Sequence, residues 1–314
     1  MRLRIHNPTN EHTKSYRDYN IFWDELTNEL KKTHVVTENR YFSNAHFERY
    51  IVKFDSLTHP YGIPLMECEY LIENLDSGEF IIFSVSDDLT SGILNEKHNP
   101  KLKKVFISQF IDYKVKHHVG DYYHKYSPWV YFPSINTDFE YFYNKRKELG
   151  DYIDKLYFRG SILDRPIINH FDKTILEGPS SINSNSYFED LIKYSVGLSV
   201  AGVGELCYRD VEYLSLGLPF IRYEFQSEFL NPLIPNYHYI SLPYDNTIPK
   251  HNEVYTDRLG DYKHSKMLES KFKEVINNKE YLNFIGENGR KYYEDYLSPK
   301  SRLEITLKLI NENL

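Results

Sequence analysis

The stretch Val196-Gly-Leu-Ser-Val-Ala-Gly-Val-Gly-Glu-Leu-Cys-Tyr-Arg-Asp-Val-Glu-Tyr-Leu-Ser-Leu-Gly-Leu-Pro-Phe-Ile221 decides the fold. Val196 to Val200 is an apolar run of strand length, Gly202 and Gly204 punctuate it, and Tyr208 to Leu216 carries apolar residues at helical spacing. Gly217-Leu-Pro219 stops that helix, and Pro219 to Tyr223 opens a second apolar run. Two parallel strands need a crossover of about this length, and a helix is the usual one. The glycines let a backbone approach a ligand closely, and the helix after them turns unpaired N–H groups and a positive dipole end toward an anion. A diphosphate suits that position. The plain alternatives are a tight turn at Gly202 to Gly204, and an exposed i, i+3 pair of Arg209 with Glu212 worth about 0.2–0.5 kcal/mol.

The same alternation continues on both sides. Lys155 to Phe158 reads as a strand, and Tyr187 to Tyr194 as a helix. The chain opens with a strand at Arg2 to His6 and a helix from about Asn20, which places Phe22, Trp23, Leu26 and Leu30 on one face. Val35-Val36, Tyr50 to Phe54, Phe80 to Val85 and Lys104 to Ser108 are further apolar runs. Helical or polar stretches such as Met66 to Leu75 separate them, a pattern that predicts parallel strands joined by crossover helices. The aromatic-rich segment Val119 to Asn144, broken by Pro128 and Pro133, reads as the connection between domains, and Lys263 to Leu314 is helical by pattern. The expected fold is α/β, with two Rossmann-like domains facing a cleft: residues 1–145 on the acceptor side and 146–314 holding a nucleotide.

Size and composition agree. A chain of 314 residues exceeds what one core usually supports. Its formal charge of −7 lacks the concentrated basic field of a nucleic-acid binder, so nucleic acid is not an expected partner. Cys68 and Cys207 stand alone, outside any CxxC spacing, which fits a reducing compartment. No apolar run approaches the roughly 18 residues of a membrane span, and the first residues carry no signal-like core. The expectation is a cytoplasmic protein. The abundance of Tyr and Asn suggests an AT-rich genome, a virus working in its host's cytoplasm included.

Arg209-x-x-Glu212 followed by Gly217-Leu218-Pro219-Phe220-Ile221 resembles the donor-binding motif of GT-B glycosyltransferases, in the form found in exostosin-like and CAP10-like families. The resemblance implies that Glu212 accepts hydrogen bonds from ribose hydroxyls and that Arg209 lies near the phosphates. Leu156-Tyr-Phe-Arg-Gly-Ser161 is similar to the first strand and loop of the same donor domain. It implies Arg159 as a second diphosphate ligand, with Gly160 and Ser161 beside it. Ile285 to Tyr293 and Ser298 to Ser301 resemble the closing helices, the last of which crosses back onto the N-terminal domain. The likeness runs from about residue 155 to 305. It departs from the commonest retaining motif, in which two glutamates precede the Gly-x-Pro turn, because Arg209 occupies the middle of that region. Glu205 and Glu212 stand seven apart, so both stereochemical outcomes stay open.

Inverting transfer needs a base for the acceptor hydroxyl, and the carboxyl ends of parallel strands are where such groups stand. Asp87 and Asp88, after the run Phe80 to Val85, and His6, at the end of the first strand, are the candidates. An Asx turn is the alternative for the aspartates, as is a hydrogen-bonded structural role for the histidine. No Asp-x-Asp occurs in the chain, which favours a metal-independent scheme in which arginines and helix dipoles stabilise the leaving group. Arg159 has a structural alternative too, as the ion-pair partner of Asp164 or Asp172. The expected activity is Leloir-type hexosyl or pentosyl transfer from a UDP- or GDP-linked sugar to a glycan hydroxyl, with no cofactor. A two-Rossmann sugar-nucleotide epimerase and a non-catalytic nucleotide-sugar-binding protein share the scaffold. So does a transferase acting on DNA bases, which the acidic balance disfavours.

Overall fold

The structure, a computed structural model, describes residues 1–9, 17–42, 69–84, 97–108, 110–129, 138–160, 165–178, 184–201, 206–243 and 258–314. The chain forms two compact units. The first comprises Met1–Asn136, Ser227–Leu230 and Pro299–Leu314, and the second comprises Thr137–Gln226 and Asn231–Ser298. Among the described residues no helix is long and apolar enough to cross a membrane.

In the first unit, β1 (Arg2–Thr9), α1 (Arg17–Lys31), β2 (Val35–Phe42), β3 (Glu69–Asn74), β4 (Phe80–Ser84), β5 (Leu102–Ile107), α2 (Asp112–Val119) and β6 (Tyr126–Pro128) follow one another. They build a sheet of order β2-β1-β3-β4-β5-β6. The α1 face foreseen from its spacing is the buried one: Phe22, Trp23, Leu26 and Leu30 are all sealed, and Trp23 stacks on Tyr70 with ring centroids 3.9 Å apart. Phe83, Phe106 and Trp129 complete an aromatic layer whose burial contributes about 1.5–3 kcal/mol per large side chain.

Two expectations for this half are corrected. The stretch Met66 to Leu75 is not helical where it is described, since Glu69–Asn74 is β3, and it runs antiparallel to both β1 and β4. The sheet is therefore mixed rather than parallel throughout. The cause is a hairpin turn: the Asp76 N–H donates to Asn74 Oδ1 at 2.9 Å, the Gly78 N–H closes on the Asn74 carbonyl at 2.8 Å, and Gly78 adopts φ +70°. Nor is Val119 to Asn144 a plain connection. Tyr126–Pro128 supplies the sixth strand, a run too short to show periodicity, and the following helix belongs to the second unit.

That unit contains α3 (Phe139–Leu149), β7 (Ile153–Tyr157), β8 (Leu176–Glu177), α4 (Ser184–Leu191), β9 (Tyr194–Leu198), α5 (Tyr208–Ser215), β10 (Phe220–Tyr223), β11 (Ile240–Leu242), α6 (Arg258–Val275) and α7 (Lys279–Tyr292). Its five strands are all parallel, in the order β11-β10-β9-β7-β8. From β7 the chain goes to β8 on one side and then to β9 on the other, so the crossovers diverge between β7 and β9. This is a topological switch point, the place in open parallel sheets where loops part and ligands bind. At the opposite end of α5, Gly217 takes φ +59°, and α7 comes so close that a side chain at Gly286 would strike the Gly217 carbonyl. The last helix, α8 (Pro299–Asn313), belongs to the first unit, as the closing-helix resemblance implied. Leu309 and Ile310 join the aromatic core there, and Asn74 Nδ2 donates to the Leu314 carbonyl at 3.0 Å.

Candidate functional site

The switch point gathers charge. Arg159 leaves the carboxyl end of β7, and Arg209 stands in the first turn of α5, just beyond β9. Arg209 Nε donates to the Arg159 carbonyl at 2.9 Å, and its guanidinium lies 4.5 Å from the Phe158 ring centroid. Gly160 makes room for this contact. Its φ is +149°, and a Cβ there would collide with the Arg209 guanidinium. Arg159 in turn pairs through Nη2 with Asp190 Oδ2 at 3.2 Å and lies over the Tyr157 ring. Of the two structural partners named for Arg159, Asp164 lies outside the described residues; among the described residues the ion pair is made with Asp190 of α4 and not with Asp172.

After these contacts, two guanidinium nitrogens are left over. Arg159 Nε and Arg209 Nη1 are both buried and have no hydrogen-bond partner among the described residues. Each such group left unsatisfied costs about 1–3 kcal/mol. The oxygen of an anion is the natural acceptor for a guanidinium N–H of this kind.

Glu212 lies one turn further along α5. It does not pair with Arg209: its Oε2 accepts the Tyr187 hydroxyl at 2.6 Å. Burial pushes the Glu212 carboxyl above the usual carboxylate range, against the pull of the Tyr187 hydrogen bond and the Arg209 charge. The first turn of α5 is fixed by Asp210. Its Oδ2 accepts the Cys207 N–H at 2.7 Å, and its Oδ1 lies 2.9 Å from Arg222 Nη1 on β10, with both side chains sealed. Burial, with the nearby Asp210 charge, raises the Cys207 thiol pKa, and the residue stands at the N-cap of α5. Arg165, a third arginine at this edge of the sheet, donates through Nε to the Val200 carbonyl at 3.0 Å.

Of the residues picked out in the sequence, Arg159, Gly160 and Arg209 are brought into direct contact, and Glu212 stands on the same helix as Arg209. Ser161, Gly202, Gly204 and Glu205 lie outside the described residues, as do Asp87 and Asp88. His6 lies on β1, fully enclosed, with Nε2 3.4 Å from Glu73 Oε2. Burial, aided by the Arg4 charge, lowers its pKa to about 4. Tyr187, Asp190, Arg165 and the Asp210–Arg222 pair were not foreseen. For α4 the only signal is that Tyr187 and Asp190 share a helix face at i, i+3, and nothing local says what that face meets.

No protein-family model and no curated protein matches the sequence. Solved structures do. A crystal structure of a glycosyltransferase from Rickettsia africae ESF-5 aligns with TM-score 0.52 and 10% identity, covering 98% of this chain and 98% of that one. A crystal structure of Anabaena HepE in complex with UDP-glucose aligns at TM-score 0.48 and 8% identity, covering 99% of this chain and 100% of that one. The first similarity shows that the chain has that fold from end to end. At such identity it carries the architecture and not the chemistry.

Proposed function

We propose that the chain is a glycosyltransferase that takes a sugar from a nucleoside diphosphate sugar, UDP- or GDP-linked, and moves it to an acceptor hydroxyl on a glycan. The reading is carried by one observation, the pair of buried guanidinium nitrogens on Arg159 and Arg209 left without partners at a topological switch point. The diphosphate occupies that place, where two fixed positive charges neutralise the leaving group as the glycosidic bond breaks. Glu212 takes the ribose hydroxyls. The fold, shared with a solved glycosyltransferase, supports the same reading.

With the guanidinium groups supplying the charge that a divalent ion supplies elsewhere, transfer is metal-independent. Of the three candidate bases, His6 is enclosed and held beside Glu73, out of an acceptor's reach. The base is therefore Asp87 or Asp88.

The test is a donor-consumption assay over a panel of UDP- and GDP-sugars and glycan acceptors, with and without EDTA. Acceptor-dependent release of nucleoside diphosphate, unchanged by EDTA, is expected. Epimerised donor formed without an acceptor, or nucleotide binding with no turnover across the panel, would replace the reading with an epimerase or a binding protein.

A further inference from the structure

Helix α4 touches both proposed donor ligands. Tyr187 and Asp190 stand one turn apart on it; the first reaches Glu212 on α5, and the second reaches Arg159 at the end of β7. Each contact engages one half of its target. The Tyr187 hydroxyl occupies Glu212 Oε2, while Glu212 Oε1 carries no hydrogen bond among the described residues. Asp190 occupies Arg159 Nη2, while Arg159 Nε stays unpartnered. The protein thus fixes the orientation of both side chains and leaves one polar atom of each unengaged.

The helix itself is held firmly. Phe188, between those two residues, is buried against α3, its ring 5.6 Å from Phe139 and 5.3 Å from Phe142. Lys145 of α3 pairs with Glu189, and the Tyr187 ring lies 6.3 Å from that of Tyr157 on β7. A side chain whose rotamer is fixed before the ligand arrives does not lose that freedom on binding.

We propose that Tyr187 and Asp190 are positioning residues for two separate parts of the donor, Tyr187 for the ribose through Glu212 and Asp190 for the diphosphate through Arg159. This rests on the reading of Glu212 and Arg159 as donor ligands. It adds a division of labour that a helix merely packed behind the site would not show.

The experiment is calorimetric titration with UDP and GDP. The tighter of the two is then compared with its 2′,3′-dideoxy analogue and with its unphosphorylated nucleoside. The two affinity ratios report on ribose and on phosphate recognition respectively. Tyr187→Phe, which keeps the ring, is expected to lower the ribose ratio about tenfold and leave the phosphate ratio alone. Asp190→Asn is expected to lower the phosphate ratio by about the same factor and leave the ribose ratio alone. Asp190→Ser takes its place if Asp190→Asn does not fold. Equal weakening of all three ligands, or no change in the ratios, overturns the proposal. Glu212→Ala and Arg159→Ala separate the two levels of the argument. If they leave the ratios at wild-type values, the donor reading itself fails; if they change them while the α4 variants do not, only the positioning role fails.

Discussion

Arg209 reaches back through Nε to the backbone carbonyl of Arg159 at 2.9 Å, so the start of α5 and the end of β7 are tied by the same side chain that faces the switch point. One guanidinium edge is spent on the backbone and Nη1 is left over. A lysine can fill one of these roles and not both, because its ammonium lacks the planar fork. Arg209→Lys should therefore weaken nucleoside diphosphate binding by at least about tenfold although the charge is kept. Calorimetry on the purified variant checks it, with a thermal melt to confirm folding.

Gly160 is required on two counts, its positive φ and the guanidinium that lies where a Cβ would go. Gly160→Ala should cost about 1–3 kcal/mol of stability through backbone strain and also displace Arg209. A lowered urea midpoint together with weaker nucleotide binding is the expected pair of results. A variant with wild-type values for both would contradict the geometry.

The Asp210–Arg222 pair is sealed, with side chains 0% and 3% exposed. Asp210→Asn leaves a buried guanidinium without its counter-charge, and should destabilise the chain by about 3–5 kcal/mol in chemical denaturation. The exposed Lys308–Glu312 pair on α8 is the contrast. Lys308→Ala should change stability by less than about 0.5 kcal/mol.

Two buried histidines set an acid limit. His6 and His238 both have pKa values lowered to about 4, by burial in each case and additionally by Arg4 for His6. The His238 ring accepts the Ile234 N–H through Nδ1 at 2.9 Å, a bond only the neutral ring can make. Between about pH 4 and 6.5 the unfolded chain binds protons that the folded chain does not, so stability is complete above pH 6.5 and falls as the pH drops toward 4. Each histidine adds about 1.4 kcal/mol per pH unit to that slope. Melting temperature measured from pH 7 to 4.5 should fall less steeply in His238→Gln than in the wild type.

The β9-α5-β10 segment was legible because glycines bound its apolar runs and a Gly-Leu-Pro stop follows a helix of one clear periodicity. Arg159, Gly160, Arg209 and Glu212 could be singled out as candidates for the same reason: short motifs fix their places relative to strand and helix ends. β3 was misread because Glu69-Tyr-Leu-Ile-Glu-Asn74 is too short to show alternation, and the informative signal lay after it, in Asn74 to Gly78. Tyr187 and Asp190 were not legible, since their partners lie 25 and 31 residues away and are met only once the sheet has formed. Asp210 reads as an ordinary first-turn acid until β10 brings Arg222 beside it.

The central claim is that Arg159 and Arg209 hold a diphosphate. Titrating UDP and GDP into the wild type, Arg159→Ala and Arg209→Ala tests it most directly. The account predicts that at least one nucleotide binds the wild type, that each variant weakens it by about tenfold or more, and that the unphosphorylated nucleoside is barely affected. Failure of both nucleotides to bind the wild type, or equal affinity in the folded variants, would contradict it.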